Sequence, residues 1–277
     1  MFDKEAIEAL QYGGGTVEVA HAVRSAFANK EPVGIPDKFK LHSLEAFMPH
    51  RQRARGMMDT TAIDSFAQYV SAHTSEGTTV FVDAQAMTAT AVLNLGTTSQ
   101  PGHADDLAEV RAKPTAAYQA LLAIAGRPQG QGQAAEFLED WCDAVQCFDD
   151  DSTIKTPSAI AAVRKLTIEA MRKVESEEQS LSASKSTFES VTAKSNDQIP
   201  KLVYFGCVPY MGLEERTFVM RFGIQTGGDK PSIILRIIKA EEHQQEMAQE
   251  FAEKVADSFI ETTNRPVVLI GSYKPRQ

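Results

Sequence analysis

The sequence lacks most signatures of a catalytic, metal-bound or secreted chain. It has no Gly-x-Ser-x-Gly and no His-Glu-x-x-His, so neither a nucleophile elbow nor a two-histidine zinc helix is encoded. Cysteine is sparse: Cys142, Cys147 and Cys207 are the whole set. An odd number of scattered thiols does not make a disulfide framework. Cys142 and Cys147 have no second pair at zinc-ligand spacing, so all three read as free thiols in a reducing compartment. No apolar run approaches the ~20 residues of a membrane span. The start, Met1-Phe2-Asp3-Lys4-Glu5, lacks the basic and apolar regions of a signal peptide. The expectation is a soluble, cytoplasmic protein with no membrane partner.

Positive charge is also short. Lys and Arg number 28 against 37 Asp and Glu, giving a net charge of −9 and a pI near 5.2. Coating nucleic acid with the whole surface needs clustered cations, so only a local basic patch remains open. What is plentiful is apolar material, 43% of the 277 residues, enough for a packed core.

The periodicity predicts a helical arm over residues 1–30, with Ala6, Ile7 and Leu10 on one face and a break at Gly13-Gly14-Gly15. A short strand is expected where Phe39, Leu41 and Ser43 alternate with polar residues. Asp59 reads as the N-cap of a helix burying Ile63, Phe66, Ala67 and Val70. Residues 79–82 and 87–95 read as a hairpin. Helices follow over 114–125, with Tyr118, Leu121, Leu122 and Ala125 inward, and from Gln133, with Ala134, Phe137, Leu138, Trp141 and Val145 on one face. Pro157 opens a third, through about Met171. Residues 174–196, rich in Ser, Glu and Lys, read as linker or exposed strand. From Leu202 the alternation becomes that of an antiparallel meander. Val203, Phe205 and Cys207 alternate first, then Phe218, Met220 and Phe222, then Ile233, Leu235 and Ile237, with a turn at Gly227-Gly228-Asp229. A long helix with Met247, Phe251, Val255 and Phe259 on one stripe covers the meander, and a last strand, 267–270, returns to it. The order predicts an α+β fold, with helices segregated from an antiparallel sheet. The regions are a helical arm (1–30), a mixed α/β region (31–172) and a β region with a C-terminal helix (173–277).

Three clusters bear on chemistry. Arg51, Arg53 and Arg55, beside His50, would share one face if extended and pair with phosphates; they are the candidate nucleic-acid contacts. His103, Asp105 and Asp106 combine imidazole and carboxylate, as hard-metal sites do, but no distant ligand has matching spacing. A loop that caps Asp106 onto a helix is the plainer reading. The acidic stretch 136–151 is a solvated face or a mimic of nucleic acid. Gly223 and Gly227-Gly228 do not follow the dinucleotide pattern. No catalytic, cofactor or metal residue is expected.

One set of segments goes beyond general pattern. Ile35-Pro-Asp-Lys-Phe-Lys-Leu-His-Ser-Leu-Glu45, Pro49, Arg53 and Ser65-Phe-Ala-Gln-Tyr-Val-Ser-Ala-His73 are followed by Phe81-Val-Asp83, Ala91-Val-Leu-Asn94 and Pro101-Gly-His-Ala-Asp105. Gln133-Ala-Ala-Glu-Phe-Leu-Glu-Asp140, Phe205-Gly-Cys-Val-Pro-Tyr210 and Phe218-Val-Met-Arg-Phe222 continue the series. Over about residues 30–270 this closely resembles the YfdQ family of phage and prophage proteins. The resemblance implies a phage or prophage context, among early genes near recombination and replication functions. It carries no activity, cofactor or site residue.

The expected function is therefore a non-enzymatic early protein that binds a host or phage macromolecule, in counter-defence or DNA recombination. Its expected partners are itself, as a homo-oligomer, and a host or phage protein or DNA. The alternatives are a single-stranded DNA-binding or annealing accessory resting on Arg51, Arg53 and Arg55, a metal-dependent nucleotide-processing enzyme around His103, Asp105 and Asp106, and a virion structural protein.

Overall fold

Alternating and helical patterns resolve into two five-stranded sheets in the computed structural model. It describes residues 4–29, 34, 45–149, 152–166, 199–225, 232–261 and 264–274. The expected strand around Phe39, the segment 174–196, the end of the third helix beyond Leu166 and the turn at Gly227-Gly228-Asp229 lie outside the described residues. The chain divides into two compact units, Met1–Ala54 and Arg55–Gln277.

In the first unit, α1 (Lys4–Asn29) runs unbroken through Gly13-Gly14-Gly15, where the sequence suggested a break. Each glycine disfavours helix by about 1 kcal/mol relative to alanine. Stopping and restarting would forfeit several hydrogen bonds and repeat the nucleation step. Strong helix formers, Glu8, Ala9, Leu10 and Gln11, precede the glycines, and Glu18, Ala20, Ala22 and Arg24 recur among the residues after them, so propagation wins. A 3-10 turn, Glu45–Phe47, follows, with Glu45 Oε1 accepting from the Gln52 N–H at 3.2 Å.

The second unit begins with β1 (Gly56–Thr60), where the sequence showed no strand. Asp59 lies inside β1 and does not cap α2 (Ile63–His73). The N-cap is Ala62, whose N–H donates to Thr60 Oγ1 at 3.2 Å. The expected inward face of α2 is correct: Ile63, Phe66, Ala67 and Val70 are buried. β2 (Thr79–Asp83) and β3 (Thr88–Val92) form the expected hairpin, and β4 (Asp106–Arg111) extends it. β4 occupies a stretch where the sequence suggests a loop that caps Asp106 onto a helix. Its period-2 burial, with Asp106, Ala108 and Val110 inward, is a strand pattern carried by small residues.

Three helices follow. Thr115 Oγ1 accepts from the Tyr118 N–H to cap α3 (Ala116–Ile124). Tyr118 and Leu121 are buried as expected, but Ile124 turns inward and Leu122 faces out. α4 (Gln131–Asp140) buries Ala134, Phe137 and Leu138. Val145, expected on this helix, instead opens β5 (Val145–Asp149), which pairs with β6 (Ser152–Ile154). α5 (Thr156–Lys165) carries Pro157 in its first turn, where the sequence places it.

The meander then forms as β7 (Leu202–Cys207), β8 (Arg216–Gln225) and β9 (Ser232–Ile237), all antiparallel. Val203 opposite Met220 and Phe205 opposite Phe218 fill its inner face. There Phe137 and Tyr118 stack on Phe205 and Phe218 at 5.5 and 5.3 Å. The sheet order is β6-β5-β7-β8-β9. α6 (Ala240–Asp257) buries Met247, Phe251 and Val255, and Phe259 just beyond it meets Phe66 of α2 edge-on at 6.1 Å.

The final strand, β10 (Val267–Ile270), does not return to the meander. It pairs in parallel with β2, completing a first sheet of order β1-β4-β3-β2-β10. The meander's outer edge is already taken. Gly126 donates to the Leu235 carbonyl, and Gln129 and Ile233 exchange backbone hydrogen bonds, so residues 125–129 line β9. The contact of α6 with α2 delivers the chain to β2 instead. Each sheet thus draws strands from both sides of residue 172. The class is α+β, with two mostly antiparallel sheets and helices grouped against them.

Candidate functional site

Arg51 and Arg53 belong to the first unit and Arg55 opens the second. The backbone bends at Gln52 and Arg53, so the stretch does not form the extended strand that would align the three guanidinium groups. Each of the three already engages a neighbouring group.

Asp105 and Asp106 are held by Asn94. Its Oδ1 accepts from the N–H groups of Asp105 and Asp106 at 3.1 and 3.0 Å, and its Nδ2 donates to Asp105 Oδ1 at 2.9 Å. The carboxylate of Asp105 is therefore part of a clasp that shapes the loop 94–106. Gly102 completes that loop: a Cβ there would collide with the Asn94 carbonyl. Among the described residues no three His, Cys, Asp or Glu side chains gather as metal ligands.

The thiols divide by depth. Cys142 is exposed, while Cys147 and Cys207 are buried in the second sheet. Burial pushes both buried thiols from 9.0 up to about 11, with the Glu215 carboxylate adding to the effect at Cys207. Neither has the depressed pKa that marks a nucleophile. Tyr118 is likewise pushed up to about 12, first by burial and then by Tyr210 beside it.

Most ion pairs fasten elements together. Arg216, at the start of β8, donates from Nη1 to Glu246 at 2.9 Å and from Nη2 to Glu250 at 2.6 Å, both on α6. Glu250 Oε1 also accepts from the Glu214 N–H, and Lys254 reaches Glu214 at 2.7 Å, holding the Glu214 carboxyl below its usual range. Arg164 on α5 grips Glu139 on α4 through Nε and Nη2 and lowers its pKa.

Two arginines are notable for their register. Arg221 on β8 and Arg236 on β9 stand directly opposite each other in the antiparallel register, both exposed on the outer face of the second sheet. Like charges at such positions repel. Among the described residues neither has a carboxylate partner. Both line a cavity of about 540 Å³, whose other walls are Leu122 of α3, Ala125 and Gly126 just after it, Ile237 and Ile238, and the first residues of α6. The sequence signal was available, since both arginines fall at outward positions of alternating strands. What it withheld was the register that makes them face each other.

The sheet edges also differ. β9 is lined by residues 125–129, and β6 is three residues long and polar on two of them. β1 carries Asp59. β10 alone among the described edges is apolar throughout, and Val267, Leu269 and Ile270 are 57, 47 and 74% exposed. No helix among the described residues is long and apolar enough to cross a membrane.

Comparison with known proteins adds one finding. No curated protein and no solved structure matches the chain. A family model described as "Uncharacterized conserved protein (DUF2303)" matches residues 8–273. With almost its whole length matched, the chain belongs to the DUF2303 family of uncharacterized conserved proteins.

Proposed function

We propose that this is a non-enzymatic binding protein that self-associates through β10 and engages a further macromolecule as an oligomer. The observation that carries the reading is the open apolar edge of the first sheet. An edge strand presents a row of unpaired N–H and C=O groups, and proteins ordinarily blunt such edges with charge, proline, brevity or cover. Among the described residues the other edges have such protection and β10 has only its shortness. A second copy pairing antiparallel across a two-fold axis would satisfy both edges at once and cover Leu269 and Ile270.

Four residues per copy bury far less than the roughly 1,200–2,000 Å² of a stable interface. Association through β10 is therefore concentration-dependent. The YfdQ-like segments support a phage or prophage setting in the bacterial cytoplasm, with counter-defence or DNA recombination as the process served. Size-exclusion chromatography with light scattering, run across a range of concentrations, tests the reading. A growing apparent mass supports it. A strict monomer at every concentration, with nothing retained from host lysate, overturns it.

A further inference from the structure

We propose that the cavity around Arg221 and Arg236 binds a nucleotide through its phosphate. The inference is independent of self-association, because β10 lies in the other sheet.

Two guanidinium groups held opposite each other on adjacent strands raise the energy of the empty face, and an anion seated between them removes that penalty. The fork of each guanidinium suits bidentate contact with phosphate oxygens. Neither arginine has a carboxylate partner among the described residues, so both guanidinium groups are available to an anion.

The walls supply the second part. The start of α6 opens on the cavity through Ala240 and Glu241. Its N-cap, Lys239, adopts a left-handed conformation with φ 56° and makes no side-chain cap, so the first-turn N–H groups are left for another acceptor. Lys239 itself is paired with Glu242 at 2.8 Å and contributes less. Leu122, Ile237 and Ile238 give an apolar surface beside the cationic end. A volume of about 540 Å³ is of the size that takes a small organic ligand, which pockets of about 300–1,000 Å³ accommodate. A base with flat aromatic faces and a charged phosphate matches both ends. Glu241 at the wall works against any anion and sets an internal control of sign.

The probes are inorganic phosphate, adenosine 5′-monophosphate and a short fluorescein-labelled oligothymidylate, titrated into the full chain by calorimetry or anisotropy. Adenosine monophosphate is expected to bind at one site per chain and phosphate alone more weakly. Arg221→Gln and Arg236→Gln should each weaken binding about tenfold or more, the loss expected from one charge-assisted contact. Both should leave the melting temperature unchanged or raised, since each relieves the like-charge pair. Glu241→Gln should tighten binding. Oligonucleotide bound with the same dependence on the two arginines makes the source a nucleic-acid strand, and monophosphate binding without it makes the source a free nucleotide. The proposal is overturned if none of the three probes binds, or if the Arg221→Gln/Arg236→Gln double variant binds as the unmodified chain does.

Discussion

Single residues show how local chemistry was absorbed into structure. Asp105 and His103 resembled part of a metal set in sequence, yet Asn94 claims the Asp105 carboxylate and two neighbouring N–H groups. Replacing Asn94 by Ala strands those donors and should lower unfolding free energy by about 1–3 kcal/mol, read as a lower urea midpoint. The buried thiols make a second residue-level prediction. Cys147 and Cys207 ionise near 11 in the fold, against 9.0 for an ordinary thiol. The folded state therefore holds protons that the unfolded state releases between these values. Their contribution to stability is complete below about 9 and is lost as pH rises through about 11. The melting temperature should fall over that window. At pH 8 a thiol reagent should label Cys142 rapidly and the other two only after denaturation. Spacing alone separated these thiols from zinc ligands, but it did not reveal their depth. Depth depends on pairing Cys147 with Val203 and Cys207 with Arg216, contacts between distant stretches.

At the scale of elements, strongly periodic segments were legible. The stripe Met247, Phe251, Val255 and Phe259 is buried as spaced, and so are the inward residues of the meander except Ile237, which is half-buried. Phe251 lies fully buried, so Phe251→Ala should destabilise by about 3–5 kcal/mol in chemical denaturation, with a cavity left between α6 and the sheets. Legibility failed where intrinsic preference and context disagree. Gly13-Gly14-Gly15 favours a break, and helical propagation overrode it. β4 is built on alanines and a buried Asp106, so its alternation carried little hydrophobic contrast. Leu122 and Ile124 compete for one helical face, and the contact of α3 with Phe218 and Tyr210 decides between them.

For the whole molecule, local patterns fixed the α+β class but could not assign strands to sheets. β5 and β6 join the meander from before α5, and β10 leaves it for the first sheet. Such pairings depend on which edge is free, and that emerges only when residues 125–129 have covered β9. The same limit hid the candidate sites: the face-to-face arginines require the β8–β9 register, and the open edge requires the placement of β10. Leu269→Lys and Ile270→Lys place charge on that edge without touching the core, since both positions are exposed. Each should leave the melting temperature nearly unchanged and shift the light-scattering mass toward monomer at all concentrations.

The pairing of Val267 with Thr79 has a kinetic side. During synthesis the β2 strand appears long before its parallel neighbour, and throughout that interval the backbone groups on the side away from β3 stand open to any passing strand. Closing so long a loop is slow relative to hairpin formation. A chain cut short before residue 267 would keep that opening permanently, and it should associate less selectively than the longer chain.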